Sequence, residues 1–135
     1  MREIHAQYGT KVAVLMVYIR EAHAIDGQAP MANGPLVEEP ITDGERHSVA
    51  KTCVTKLSLQ MIPAVVDRID NAVDAAYQAR PDRLYLVGRD GRIAYAGGRG
   101  PFGFKPDELV DAIEKELAKP TTETPRRESK PGARK

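Results

Sequence analysis

"RLYLVGRDGRIAYAG" (Arg83 to Gly97) decides the fold. Two short runs of alternating apolar and aromatic residues flank Asp90-Gly91, the composition of a tight hairpin turn. A Gly-rich connector, "GGRGPFGF" (Gly97 to Phe104), leads on to "KPDELVDAIEKELA" (Lys105 to Ala118). There Pro106 suits the first turn of a helix, Asp107 and Glu108 its positive end, and Leu109, Ile113 and Leu117 one buried face. A hairpin followed by an amphipathic helix therefore closes the chain's folded part.

Working upstream, "DNAVDAAYQA" (Asp70 to Ala79) reads as a short helix capped by Asp70, with Val73 and Tyr77 facing inward. "AVVD" (Ala64 to Asp67) after Pro63 reads as a short strand. "TDGERHSVAKTCVTKLSL" (Thr42 to Leu59) opens with Thr42 and Glu45 at capping-box spacing, and Val49, Cys53, Val54 and Leu57 form an apolar stripe. The Pro- and Gly-rich segment from Gln28 to Pro40 reads as a long loop. "KVAVLMVYI" (Lys11 to Ile19) is a continuous apolar run rich in β-branched residues, expected as a strand covered on both faces. "MREIHAQYG" (Met1 to Gly9) reads as the last turns of a helix, with Ile4 and Tyr8 on one face and Gly9 as the stop. Alternating helices and strands make this an α/β chain, with "VAVLMVYI" and the hairpin expected in one mixed sheet and helices on both faces.

Composition bounds the function. The 135 residues suffice for one domain, and a 41% apolar, 29% charged composition is that of a globular protein. From Lys119 to Lys135 six basic residues stand against two acidic ones, a charge of +4, so the +1 total leaves −3 on residues 1–118. That body has no basic face for nucleic acid. Residues 119–135, with three prolines and no large apolar side chain, are expected to be a disordered basic tail after a domain of residues 1–118. No apolar run approaches the roughly 20 residues of a membrane span. The single cysteine, Cys53, hints at a reducing compartment, and a cytoplasmic location is expected. No Cys, His or Asp pair has a close zinc spacing, and the "GGRG" segment lacks the Lys-Ser or Lys-Thr of a phosphate loop.

One stretch stands out chemically. "VYIREAHAIDG" (Val17 to Gly27) passes from strand directly to Arg20, Glu21, His23 and Asp26. Polar groups at the carboxyl end of a strand are a frequent setting for a ligand site, though a solvated loop has the same composition. Cys53, on the apolar stripe, reads first as a small inert core residue.

Taken with "IPAVVDRIDNAVDAAY" and "GGRGPFGF", this stretch resembles the iodothyronine deiodinase family, over almost everything from Met1 to Leu117. The resemblance implies a thioredoxin-like fold and reductive removal of iodine from an aromatic ring. It implies that Glu21 and His23 lie beside the attacking selenocysteine or cysteine, with Tyr18 near them. It implies that Arg99 grips the substrate's carboxylate, and His47 is a further candidate at the site. Pro81 stands where the fold has a proline, usually cis, bordering the active site. Cys53 is a candidate second redox thiol. No resident cofactor or metal is implied; a thiol reductant is the co-substrate, a small iodinated aromatic the substrate, and a homodimer a candidate assembly.

Two departures bear on activity. Gln28 follows Asp26-Gly27 where the family usually has a Trp. The family's first core strand and its Cys-x-Sec or Cys-x-Cys segment have no counterpart in these residues, so the chain alone is expected to be inactive. The alternative is a non-catalytic thioredoxin-like module that binds a small aromatic acid or a protein partner.

Overall fold

The computed structural model describes residues 1–31, 33–34 and 36–120. Four helices and four strands follow one another in the order α1 (Arg2–Tyr8), β1 (Met16–Tyr18), α2 (Asp43–Lys56), β2 (Ala64–Val66), α3 (Ala72–Tyr77), β3 (Tyr85–Val87), β4 (Ile93–Ala96) and α4 (Pro106–Leu117). This is a mixed α/β arrangement of small sheets flanked by helices, consistent with a thioredoxin-like fold. The basic tail expected from Lys119 lies, over residues 121–135, outside the described residues.

The hairpin forms as its sequence demands. β3 and β4 pair antiparallel, Tyr85 opposite Ala96 and Leu86 opposite Tyr95, with a bulge between Leu86 and Val87. Gly91 takes φ +78°, a conformation that costs glycine nothing and other residues strain. α4 lays Leu109 and Ile113 onto the hairpin, and α1 adds Ile4 and Tyr8. With Leu84 and Leu86 these six side chains make the apolar core.

The other half departs from expectation. β1 pairs parallel with β2, Met16 opposite Ala64 and Tyr18 opposite Val66, and forms a sheet separate from the hairpin. The single sheet expected from the sequence is thus two sheets of two strands among the described residues. The eight apolar residues expected as one strand shorten to three. A ladder can run only as far as its partner, and this one closes with Met16 N–H donating to Pro63 O and Asp67 N–H donating to Tyr18 O. Nor is β1 covered on both faces: Val17 is 39% exposed.

α2 starts as expected. Thr42 and Glu45 form the reciprocal capping box, Thr42 accepting from the Glu45 N–H and Glu45 from the Thr42 N–H. Its stripe is displaced, however: Arg46 and Ala50 are buried, Val49, Cys53 and Val54 are half-buried, and Leu57 is 52% exposed. α3 is also corrected. Asp74 is its buried residue, Tyr77 is 43% exposed, and Asn71 rather than Asp70 is the N-cap. Asp70 Oδ1 still accepts from the first helical N–H, that of Ala72, at 3.2 Å, and Asp67 adds to the cap, accepting from the N–H groups of Val73 and Asp74 at 3.1 and 2.9 Å. The strand-to-helix junction after β2 is therefore built around a buried carboxylate instead of an apolar face.

Candidate functional site

β1 ends at Tyr18, and the chain turns at once into the polar stretch singled out above. The Tyr18 hydroxyl donates to Glu21 Oε2 at 2.5 Å. The other carboxylate oxygen of Glu21 accepts from the N–H groups of Ala22 and His23, at 3.2 and 3.4 Å. A three-residue spacing thus folds the carboxylate back over the strand end. The loop beyond is tied down by its own backbone and by Asp26. Ile25 N–H donates to Val37 O, and Asp26 Oδ1 accepts from Glu39 N–H at 2.8 Å. Asp26 braces the loop; it takes no part in the Tyr18–Glu21 contact.

α2 brings Cys53 to the same place. The thiol lies within electrostatic reach of the Tyr18 hydroxyl and the Glu21 carboxylate. Cys53 is half-buried and lies outside the apolar core cluster, which corrects the expectation of a core position. Burial raises its pKa first and the Glu21 carboxylate second, while the Tyr18 hydrogen bond and Lys56 pull the other way; the net direction is up. Tyr18 is held far above the ordinary phenol value by burial, then by its bond to Glu21. Both groups keep their protons at neutral pH, so this is a proton-holding cluster at the end of β1.

The remaining candidates sit apart from it. His23 is exposed and its Nδ1 meets Ala29 O at 2.9 Å, so its ring faces along the loop while only its N–H touches Glu21. His47 is exposed, with Nδ1 on Asp43 O of its own helix at 2.8 Å. Arg99 donates from Nε to Gln78 O at 3.0 Å and from Nη2 to Gln78 Oε1 at 3.2 Å. The Arg80–Pro81 peptide is cis, as is Gly100–Pro101. Among the described residues neither His47 nor Arg99 shares a hydrogen bond or ion pair with Tyr18, Glu21 or Cys53.

Sequence reasoning singled out Arg20 but missed its partner: Arg20 Nε pairs with Asp74 Oδ2 at 2.9 Å and links the end of β1 to α3. It also missed Arg46, 1% exposed, which donates to Arg68 O at 2.6 Å and lies 3.7 Å from Glu39. Only the ion-pair partners could have revealed them, and those lie 54 and 7 residues away. Two concave surfaces lie elsewhere, against α4: one of about 460 Å³ is bounded by Tyr95, Glu108 and Lys115, one of about 570 Å³ by Lys11, Arg89 and Glu114. Among the described residues no three His, Cys, Asp or Glu side chains converge as metal ligands, and no helix is long and apolar enough to cross a membrane.

Residues 1–117 match the family model described as iodothyronine deiodinase. The chain belongs to the iodothyronine deiodinase family. Its relatives include a type I iodothyronine deiodinase of Xenopus laevis, 36% identical over 101 residues, which are 75% of this chain and 38% of the relative. A thyroxine 5-deiodinase of Sparus aurata is 34% identical over 113 residues, 84% of this chain and 41% of the relative. The type II iodothyronine deiodinase of Homo sapiens is 32% identical over 122 residues, 87% of this chain and 44% of the relative. The chain thus spans about two-fifths of the length of these deiodinases. The matched region contains the whole Tyr18–Glu21–Cys53 cluster.

Proposed function

We propose that this chain is the substrate- and proton-handling part of a deiodinase-like oxidoreductase. The balanced reaction is Ar–I + 2 RSH → Ar–H + R–S–S–R + I⁻ + H⁺. A carbon–iodine bond breaks, two thiols are oxidised to a disulfide, and the ring gains a hydrogen. The cytoplasm, rich in small thiols, is the compartment that would supply the reductant. A thiol co-substrate replaces any resident cofactor, a small iodinated aromatic is the substrate, and a homodimer is the assembly we would test first.

The observation that carries this reading is the meeting of Tyr18, Glu21 and Cys53 at the end of β1. Reductive deiodination needs a soft nucleophile and a nearby group to hold and deliver protons. A phenol bonded to a carboxylate, with a thiol in electrostatic reach of both, meets the second need. Cys53 meets the first poorly: the thiolate is the nucleophile, and its environment disfavours the thiolate. We therefore assign attack on iodine to a cysteine or selenocysteine outside these 135 residues, as in a selenoprotein-type member, with Cys53 as the second redox thiol. Glu21 and His23 would flank the attacking atom, Pro81 would border it, Arg99 would take the substrate's carboxylate, and His47 would come into play only by leaving Asp43 O.

The test is iodide release from thyroxine with dithiothreitol. The 135-residue chain is expected to release none. The chain extended at its N-terminus by a strand bearing a Cys or selenocysteine is expected to release it, and His23→Ala in that protein to lower the rate about 100-fold. An inactive extended protein that still binds thyroxine would favour the binding-module reading. Turnover by the short chain that vanishes in Cys53→Ser would make Cys53 itself the nucleophile.

A further inference from the structure

The C-terminal end of α3 is pinned more heavily than a six-residue helix requires. The Tyr77 carbonyl accepts from the Tyr85 hydroxyl at 2.6 Å and from Arg83 Nη1 at 3.2 Å. Arg83 also donates to Gly97 O at 2.6 Å, and its guanidinium stands 5.0 Å over the Tyr85 ring. The Tyr77 and Tyr85 rings meet edge to face at 5.1 Å. All of this fixes the next residue, Gln78, in the left-handed conformation at φ 49° and ψ 49°. That geometry is natural to glycine and costs glutamine about 1 kcal/mol.

What Gln78 does there is hold Arg99. Its backbone carbonyl accepts from Nε and its side-chain oxygen from Nη2, so one residue fills the Nε/Nη2 edge of the guanidinium. A guanidinium has five donors, and three remain: both on Nη1 and one on Nη2. The remaining Nη1/Nη2 edge is the fork that matches a planar carboxylate with two parallel hydrogen bonds. Arg99 is exposed, and among the described residues no carboxylate meets it. The loop that carries it is itself fixed: Gly103 N–H donates to Arg99 O, and a Cβ on Gly103 would lie 2.4 Å from that oxygen.

We infer that Gln78 is the positioning residue for Arg99, filling one edge of its guanidinium so that the other is presented, pre-oriented, to a substrate carboxylate. The inference rests on the reading of Arg99 as the carboxylate ligand. Without Gln78 the long Arg99 side chain samples several rotamers, and ordering it on binding costs affinity for the carboxylate alone.

The test compares the dissociation constants of thyroxine and of thyroxine methyl ester, in which the carboxylate is masked, for the full chain and three variants. The wild-type chain should prefer the acid by about tenfold or more, as a charge-assisted pair would give. Arg99→Ala should bring the ratio to about one. Gln78→Ala and Gln78→Gly should each lower the ratio by about fivefold, the scale of one net hydrogen bond, with ester affinity unchanged. Gln78→Gly relieves the left-handed conformation, so it should unfold no more easily than wild type, and its loss of selectivity cannot be a loss of fold. If Arg99→Ala loses the preference while Gln78→Gly keeps the wild-type ratio, the positioning role is wrong and the reading of Arg99 stands. A wild-type chain with no preference for the acid would overturn both.

Discussion

Around the hairpin, Ile4, Tyr8, Leu84, Leu86, Leu109 and Ile113 close into one apolar cluster. The half made of β1, β2, α2 and α3 buries Arg46, Asp67 and Asp74 alongside Ala24, Ala50 and Ile62, and leaves Val17, Val65 and Leu57 substantially exposed. The first half is held by non-directional burial, at about 25 cal/mol for each Å² of apolar surface removed from water. The second is held by hydrogen bonds to charged groups, which are directional and fail singly. The candidate site lies in the second half. Polar scaffolding there does what an apolar face cannot: Asp67 fixes the start of α3, Arg20 and Asp74 fix the end of β1, and Tyr18 is left to face Glu21 and Cys53.

The contrast can be broken by mutating each half where it is most committed. Ile113 is 2% exposed and central to the apolar cluster. Ile113→Ala should destabilise by about 3 to 4 kcal/mol, the usual cost of a buried aliphatic truncation that leaves a cavity. Denaturant unfolding checks the size, and hydrogen exchange checks the place: protection should fall first in β3, β4 and α4. Equal loss throughout would mean that the halves unfold as one.

Asp67→Ala is the matching change in the polar half, and should cost somewhat less. It strands the buried Asp74 N–H, at about 1 to 3 kcal/mol, while the half-buried Val73 N–H can turn to water. Exchange should rise at α3 and β2 before the hairpin is affected. Smaller again is Thr42→Ala, which removes one arm of the capping box for about 1 kcal/mol. Its effect should stay within the first turn of α2.

The same contrast explains how much the sequence disclosed. The hairpin, α4, α1 and the capping box were legible because each is a local pattern: alternation around Asp90-Gly91, a stripe at helical spacing, Thr42 three residues before Glu45. The polar half was misread where the partner lies far along the chain. Nothing near Leu15 and Val17 says that β2 will offer only three residues to pair with. Nothing near Arg46 says that Arg68 O waits 22 residues on to make burying a guanidinium tolerable. At the site, the resemblance put Tyr18 near Glu21, but neither their bond nor the approach of Cys53, 35 residues beyond Tyr18, was foreseen.

The smallest expected effect is also the one that bears most directly on the site. Cys53 has two neighbours that act on its proton in opposite senses: the Glu21 charge raises its pKa and the Tyr18 hydrogen bond lowers it. Alkylation by iodoacetamide follows the thiolate fraction, so its pH profile reads that balance. The midpoint should lie above the ordinary thiol value of 9.0. Glu21→Gln should move the profile to lower pH and speed alkylation at pH 8, while Tyr18→Phe should move it to higher pH and slow it, each by a few-fold. Linkage gives a second readout. A thiol and a phenol that hold their protons more tightly in the folded state stabilise it fully below the unfolded values of 9.0 and 10.0, and that stability drains away as pH rises through the folded ones. Stability should therefore decline above about pH 9, and less steeply in Tyr18→Phe. Parallel shifts of the alkylation profile in Glu21→Gln and Tyr18→Phe would mean that the two residues affect Cys53 only through burial, and would dissolve the cluster as a proton-holding unit.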